Sequence, residues 1–348
     1  MADRLDYLIV GAGVAGCVCA ERLASAGYQV LVIDRRNHIG GNAYDEYDDA
    51  GILVHRYGAH IFHANSREVW AYLSRFTAWR PYEHRVLAWF KGTLLQVPIN
   101  WTTLEAFGGD EQAARQALYE PYTRKQWGPY ADQLSPTVLA RVKVRAGRED
   151  RYFTDTYQAM PLHGYTRMFQ RMLDSPRIRI WLQHDFGDLV AGQWPRTGLH
   201  ELGDPEIVYT GPIDEYFGYR FGRLPYRSAR FEFCTLPKER RQPVGVVNYP
   251  GADRPYTRVI EFKHLTGQQH PQTTIAYEYP QAEGEPYWPV PMAASAALYQ
   301  RYEELARQTP RVHFVGPLGT YRYLDIHQVV AQALKLCATL TKEVPCPA

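Results

Sequence analysis

The stretch Asp6–Asp34, DYLIVGAGVAGCVCAERLASAGYQVLVID, decides the fold. Tyr7-Leu8-Ile9-Val10 is a short apolar run that breaks into Gly11, Gly13 and Gly16. A helical pattern follows, stops at Gly27, and gives way to a second apolar run, Val30–Ile33, closed by Asp34. Strand, glycine turn, helix, strand and terminal acid form the dinucleotide-binding fingerprint in its full context. Gly11 permits the tight turn, Gly13 lets the backbone approach a pyrophosphate, and Gly16 allows close helix–strand packing. The helix N-terminus offers unsatisfied N–H groups to an anion. Asp34 can accept from a ribose hydroxyl.

Working outward, Arg35-Arg36-Asn37-His38-Ile39-Gly40-Gly41-Asn42 follows the acid directly. Two glycines there let the backbone run beside an extended ligand, and the pattern resembles the second dinucleotide motif of FAD-binding enzymes. Arg35, Gly41 and Asn42 join the candidate cofactor residues. The segment His55–His63 carries His55, His60 and His63. No carboxylate or cysteine near them completes a ligand set, so no metal is expected. They read either as the wall of a cofactor pocket or as structural histidines.

The chain has 348 residues, enough for two or three lobes, with 45% hydrophobic and 22% charged residues. A net charge of +2 supplies no field that would favour nucleic acid or a membrane. No 18-residue apolar run occurs, and Asp3, Arg4 and Asp6 precede the first strand where a signal peptide would be apolar. The five cysteines are scattered without metal spacing and read as reduced thiols of a cytoplasmic protein. Tyrosine is abundant, 26 against 13 phenylalanines. This suits sugar and phosphate recognition, or equally a tyrosine-rich sheet.

The remaining pattern is α/β. It predicts strands within residues 82–99 and helices around Leu104–Trp127, interrupted and capped at Gly108-Gly109-Asp110. Arg177–Leu182, Glu206–Thr210 and Val312–Val315 read as further strands. Alternation over residues 228–279 predicts an antiparallel sheet, and helices follow at Ser295–Gln308 and Ile326–Thr341. The expected organisation is a Rossmann-like FAD-binding domain from 1–66, 176–222 and 309–348. Inserted into it are a small helical domain, 101–150, with a mobile loop near 128–148, and a mostly antiparallel sheet domain from 67–100, 151–175 and 223–308. Arg141, Lys143, Arg145 and Arg148 run without an intervening acid. They read as a solvated face or as a lid that brings positive charge to a phosphate.

With these residues in view, the chain resembles the bacterial type of the UDP-galactopyranose mutase family. The carriers are Gly58-Ala59-His60-Ile61-Phe62-His63, Val97-Pro98-Ile99-Asn100, Lys125-Gln126-Trp127-Gly128, Gly222-Arg223-Leu224, Asn248-Tyr249, Pro255-Tyr256-Thr257-Arg258 and Gly319–Asp325. The resemblance implies an isomerase that interconverts pyranose and furanose forms of a nucleotide sugar, most simply UDP-galactose. It implies FAD in its reduced form, with N5 as nucleophile at the anomeric carbon, a separate reductant for the flavin, and a homodimer whose usual interface the short helical lobe leaves open. By the same resemblance, Arg141 and Arg258 clamp the diphosphate and His60 and His63 complete the catalytic set. Tyr122, Trp127, Tyr152, Asn248, Trp288 and Tyr323 would bind substrate, and Arg223, Gly316, Leu324 and Asp325 would line the flavin. Ala59, Trp288, Pro317 and the short helical lobe depart from the family pattern. Trp288 and the lobe keep open a mutase for another nucleotide sugar, Ala59 and Pro317 a nucleotide-sugar binder without flavin, and a flavin oxidoreductase sharing only the FAD motifs is the remaining alternative.

Overall fold

A computed structural model describes residues 4–135, 144–192 and 202–341. Its organising layer is a five-stranded sheet in the spatial order Ile178–Leu182, Val30–Asp34, Tyr7–Val10, Glu206–Tyr209 and Val312–Phe314. Every neighbouring pair is parallel. Strands of such a sheet are covered on both faces and therefore read as continuous apolar runs. Leu8, Ile9, Leu31, Val32 and Ile33 are accordingly fully buried. The helix Val14–Ser25 covers one face, and the helix Ile326–Leu340 packs beside it through Val330, Ala333 and Cys337. From Tyr7–Val10 the chain builds outward to both sides, so a crevice opens beyond the carboxyl ends of Tyr7–Val10 and Glu206–Tyr209.

A seven-stranded sheet forms the second layer: Trp288–Pro289, Tyr226–Leu236, Thr273–Gln281, Arg258–Glu261, Val246–Asn248, Val86–Phe90 and Thr93–Val97. It is antiparallel except where Val246–Asn248 meets Val86–Phe90 in parallel. That junction joins the hairpin of residues 86–97 to the sheet formed by residues 226–281. A third, small sheet of Phe62–Ala64, Tyr157–Pro161 and Trp79–Pro81 is absent from the sequence reading. Its strands have three to five residues, too few to show a period, and its pairings span long separations.

The helical insertion comprises Trp101–Glu105 and Glu111–Trp127. Asp110 caps the second helix, its Oδ1 accepting from the Ala113 N–H at 3.0 Å, as the Gly-Gly-Asp signal predicts. This helix carries Pro121 internally and ends at Gly128, whose φ of +56° suits glycine. A 3₁₀ turn, Gly128–Gln133, follows. Arg141 and Lys143 lie outside the described residues. Among the described residues, no helix is long and apolar enough to cross a membrane.

Candidate active site

A cavity of about 990 Å³ opens at the crevice of the parallel sheet and extends to the helical insertion and the seven-stranded sheet. At its sheet end two glycine runs meet backbone to backbone. Gly11 leaves the first strand at φ +103° and donates its N–H to the Ile33 carbonyl at 2.8 Å. Gly40 donates to the Ala12 carbonyl at 2.7 Å. A Cβ on Gly41 would stand 2.8 Å from the Gly13 Cα, so Gly41 tolerates no side chain there. The Asp34 carboxylate accepts from the Ala12 N–H and the Arg36 N–H, both at 2.8 Å, and is thereby held at the rim. The Val14–Ser25 helix starts at Gly13 with no side-chain cap, leaving its first N–H groups available to an anion.

Charged side chains surround this cradle. Arg35 pairs with Glu285 at 2.8 Å, and Arg36 spans Glu285 at 3.2 Å and Asn42 Oδ1 at 3.0 Å while lying over the Tyr57 ring. Gly316 sits against Ala15 at φ +85°. Leu324 and Asp325 also line the wall. Asp325 doubles as the cap of the Ile326–Leu340 helix in a reciprocal pair with Gln328.

The histidines of residues 55–63 separate in space. His55 is buried on its strand, and its Nδ1 accepts from the His60 N–H at 3.2 Å. His60 and His63 line the cavity. His60 Nδ1 faces the Gly58 carbonyl at 2.9 Å; a carbonyl only accepts, so Nδ1 bears the proton and Nε2 is left as an acceptor. Burial, with His55 nearby, pushes the His60 pKa down to about 4, and the ring is neutral at physiological pH. His63 stacks on Phe153 at 3.6 Å between centroids and places Nδ1 3.0 Å from Asp155 Oδ2. Its other nitrogen lies 3.9 Å from Asp325 Oδ2. His63, Asp325 and His327 offer ligand atoms within 4.8 Å of one another, a grouping different from the three histidines considered from the sequence. His84 also lines the cavity, bonded to the Tyr82 hydroxyl at 3.0 Å and held neutral by burial, its pKa lowered to about 3.

The far wall is polar and assembled from distant segments. Arg258 and Asn248 are direct partners across two paired strands. The Arg258 Nε bonds Glu278 Oε2 at 2.6 Å, and the Glu278 side chain is completely buried. Burial opposes the guanidinium charge, but the adjacent carboxylate outweighs it and raises the Arg258 pKa further. The second Glu278 oxygen, Oε1, is buried and has no hydrogen-bond partner among the described residues. Tyr122, Tyr152, Tyr323 and Trp288 complete this wall. Burial raises the Tyr122 pKa, which keeps its hydroxyl a donor.

Three sequence candidates stand off the wall. Trp127 is 8% exposed and packs with Leu134 and Val290, its ring 6.4 Å from Tyr323. The last helical turn directs this indole into a small apolar cluster instead of the cavity. Arg223 is exposed and lies over the Tyr219 ring at 3.8 Å. Gly16 lies beneath the cradle: a Cβ there would meet the Gly11 carbonyl oxygen at 1.9 Å. Conversely, Arg36, Tyr57, His84, Phe153, Glu285 and Tyr287 line the cavity without having been singled out as site residues. They are isolated polar or aromatic residues in strands and loops, and no local spacing distinguishes them.

Comparison with known proteins adds to this geometry. A family model described as UDP-galactopyranose mutase matches residues 117–323, and one described as an NAD(P)-binding Rossmann-like domain matches residues 9–76. A probable UDP-galactopyranose mutase of Klebsiella pneumoniae is 37% identical over 96% of this chain and 94% of its own length. A dTDP-fucopyranose mutase of Escherichia coli is 33% identical over 96% of this chain and 97% of its own. The crystal structure of a reduced UDP-galactopyranose mutase superposes with a TM-score of 0.78 over 98% of this chain and 96% of its own, at 12% identity. At that identity the superposition speaks for the fold.

Proposed function

The chain belongs to the UDP-galactopyranose mutase family, a family of isomerases, and on that premise we propose that it interconverts the pyranose and furanose forms of a nucleotide sugar, most simply UDP-galactose. The proposed cofactor is FAD. The cradle fits it: two glycine runs in backbone contact leave space for a pyrophosphate against an uncapped helix N-terminus. Gly11, Gly13, Gly41, Asn42, Asp34 and Gly316 would hold it. When bound and reduced, by a reductant still to be identified, the flavin supplies the nucleophile for the anomeric carbon.

The protein's own residues then have three tasks. Arg258 binds the diphosphate and offsets the charge that grows as the anomeric bond breaks, held for that role by Glu278. Tyr122, Tyr152 and Tyr323 donate hydroxyls to the same phosphates, and Asn248 orients the nucleotide beside Arg258. His60, a lining residue kept neutral by burial, adds no competing cation to the cavity. Arg141 is proposed as the second arginine of the clamp.

The observation that carries this reading is the Arg258–Glu278 pair on the wall of the same cavity as the glycine cradle. A diphosphate clamp beside a dinucleotide site suits a nucleotide-sugar mutase and has no use in an amine oxidase. The test is anaerobic incubation of dithionite-reduced, flavin-loaded protein with UDP-galactofuranose, followed by chromatography. Conversion to UDP-galactopyranose is expected, and absence of conversion with reduced flavin bound would overturn the assignment to UDP-galactose. A second sugar has support in the fucopyranose relative and in Trp288 on the wall. dTDP-fucofuranose in the same assay decides between them.

A further inference from the structure

Lys125 sits one turn beyond Tyr122 on the Glu111–Trp127 helix, on the same side at a spacing of three residues. Its ammonium leaves the helix and enters the loop that joins the strands Val246–Asn248 and Arg258–Glu261. There it donates to four backbone carbonyls: Tyr249 at 2.6 Å, Gly251 at 2.6 Å, Arg254 at 2.9 Å and Tyr256 at 3.2 Å. An ammonium has three protons, so four converging oxygens solvate it as a cation. No carboxylate stands among these four partners. Burial lowers the lysine pKa, with Asp253 opposing.

At its two ends the loop is also held by the Tyr256 ring, which packs against Tyr249, Tyr277 and Tyr279, while its middle projects outward. Gly251 and Arg254 are exposed. At its neck the Tyr249 N–H donates to the Thr257 carbonyl at 2.8 Å, and the Thr257 N–H donates to the Glu278 backbone carbonyl at 2.9 Å. Asn248 and Arg258 flank that neck and line the cavity, as Tyr122 does. The same helical turn is held from a second side: the Arg227 Nε donates to the Gln126 carbonyl at 3.0 Å, and its guanidinium lies against Gly128.

We propose that Lys125 is a positioning residue, a tethered cation that gathers the 249–256 loop and locks it to the helix carrying Tyr122, so that Tyr122, Asn248 and Arg258 meet the nucleotide sugar as one preformed surface. The proposal rests on the mutase reading for its substrate. The carbonyl cage itself is independent of that reading. With the lysine removed, four carbonyl dipoles converge without a counter-charge and the loop relaxes away from the helix. A small monovalent cation could take the vacated position, since hard cations are ligated by carbonyl oxygen.

The test uses the flavin-loaded full chain as wild type, Lys125→Ala and Lys125→Met. Expected for Lys125→Ala is a KM for the nucleotide sugar raised about tenfold or more, from the loss of bonds to a charged group, with kcat changed far less and the flavin absorbance unchanged. Ammonium chloride should lower that KM and raise the melting temperature of Lys125→Ala, whereas choline chloride at equal ionic strength should do neither. Lys125→Met keeps the stem in place and should not respond to ammonium. An unchanged KM, or a Lys125→Ala protein whose KM and melting temperature both ignore ammonium, would overturn the proposal. If wild type turns over no nucleotide sugar, the mutase reading fails, while the ammonium-dependent melting of Lys125→Ala still decides the cage.

Discussion

The glycine cradle and the Arg258 wall enclose one cavity but are built differently. The cradle takes nearly all its backbone from Gly11–Asp34, with one return at Gly40–Gly41. Its working surface is main chain, and what matters is the absence of side chains. The Arg258 wall draws Tyr122 from a helix, Tyr152 from a loop, Asn248 and Arg258 from paired strands and Tyr323 from near the C-terminal helix. Its working surface is side chains, each needing a partner to hold it. A backbone surface fails by steric intrusion, whereas a side-chain surface fails by loss of a partner or of a charge.

The sharpest way to break this contrast is Gly16→Val. A Cβ there meets the Gly11 carbonyl oxygen at 1.9 Å and cannot be accommodated without separating helix from strand. We expect a loss of at least ~3 kcal/mol in stability together with flavin binding, read by denaturant midpoint and by absorbance. A variant that keeps its flavin would show that the cradle tolerates intrusion. Next in size is Arg258→Lys. The charge beside Glu278 survives but the planar fork is lost, so kcat/KM should fall about 100-fold with the flavin spectrum intact. Loss of flavin in this variant would instead mean that the two regions are not separable.

The smallest effect is on pH dependence, and it belongs to the histidines on the cavity wall. The folded pKa values of His60, about 4, and His84, about 3, lie below the ordinary 6.5. Between those values the unfolded chain binds more protons than the folded one. The stability these neutral rings contribute is therefore complete above pH 6.5 and is lost as pH falls through about 4. The melting temperature of wild type should decline over that window, and the decline should be shallower in His84→Gln. A slope in His84→Gln identical to that of wild type would remove His84 from the account.

The contrast also explains what was legible. Gly11, Gly13, Asp34 and Gly41 are readable because a dinucleotide cradle is a local object with a fixed spacing. The mixed α/β architecture is readable because period and punctuation are local too. Arg258 and Tyr122 became visible only through resemblance to a family, since nothing in their immediate neighbours distinguishes them from surface residues. Trp127 shows the limit of that route: the motif that contains it is matched, yet its ring packs against Leu134 and Val290. Glu278 carries no local mark in the sequence because its significance is a 2.6 Å contact with a residue twenty positions away, on the neighbouring strand. The Phe62–Ala64, Trp79–Pro81 and Tyr157–Pro161 sheet is not legible in the sequence because strands so short carry no measurable alternation.

By itself, then, the sequence determined the βαβ start, the glycine positions and the alternation of strand and helix. These depend on steric limits and hydrophobic periods expressed within about one turn or one strand of the residue concerned. Only the tertiary structure decided which polar side chains share a wall, that burial keeps the cavity-lining His60 neutral, and that Lys125 reaches four carbonyls of a loop more than a hundred residues away. Those properties are set by burial and by partner distance, and neither is defined until distant segments have packed together.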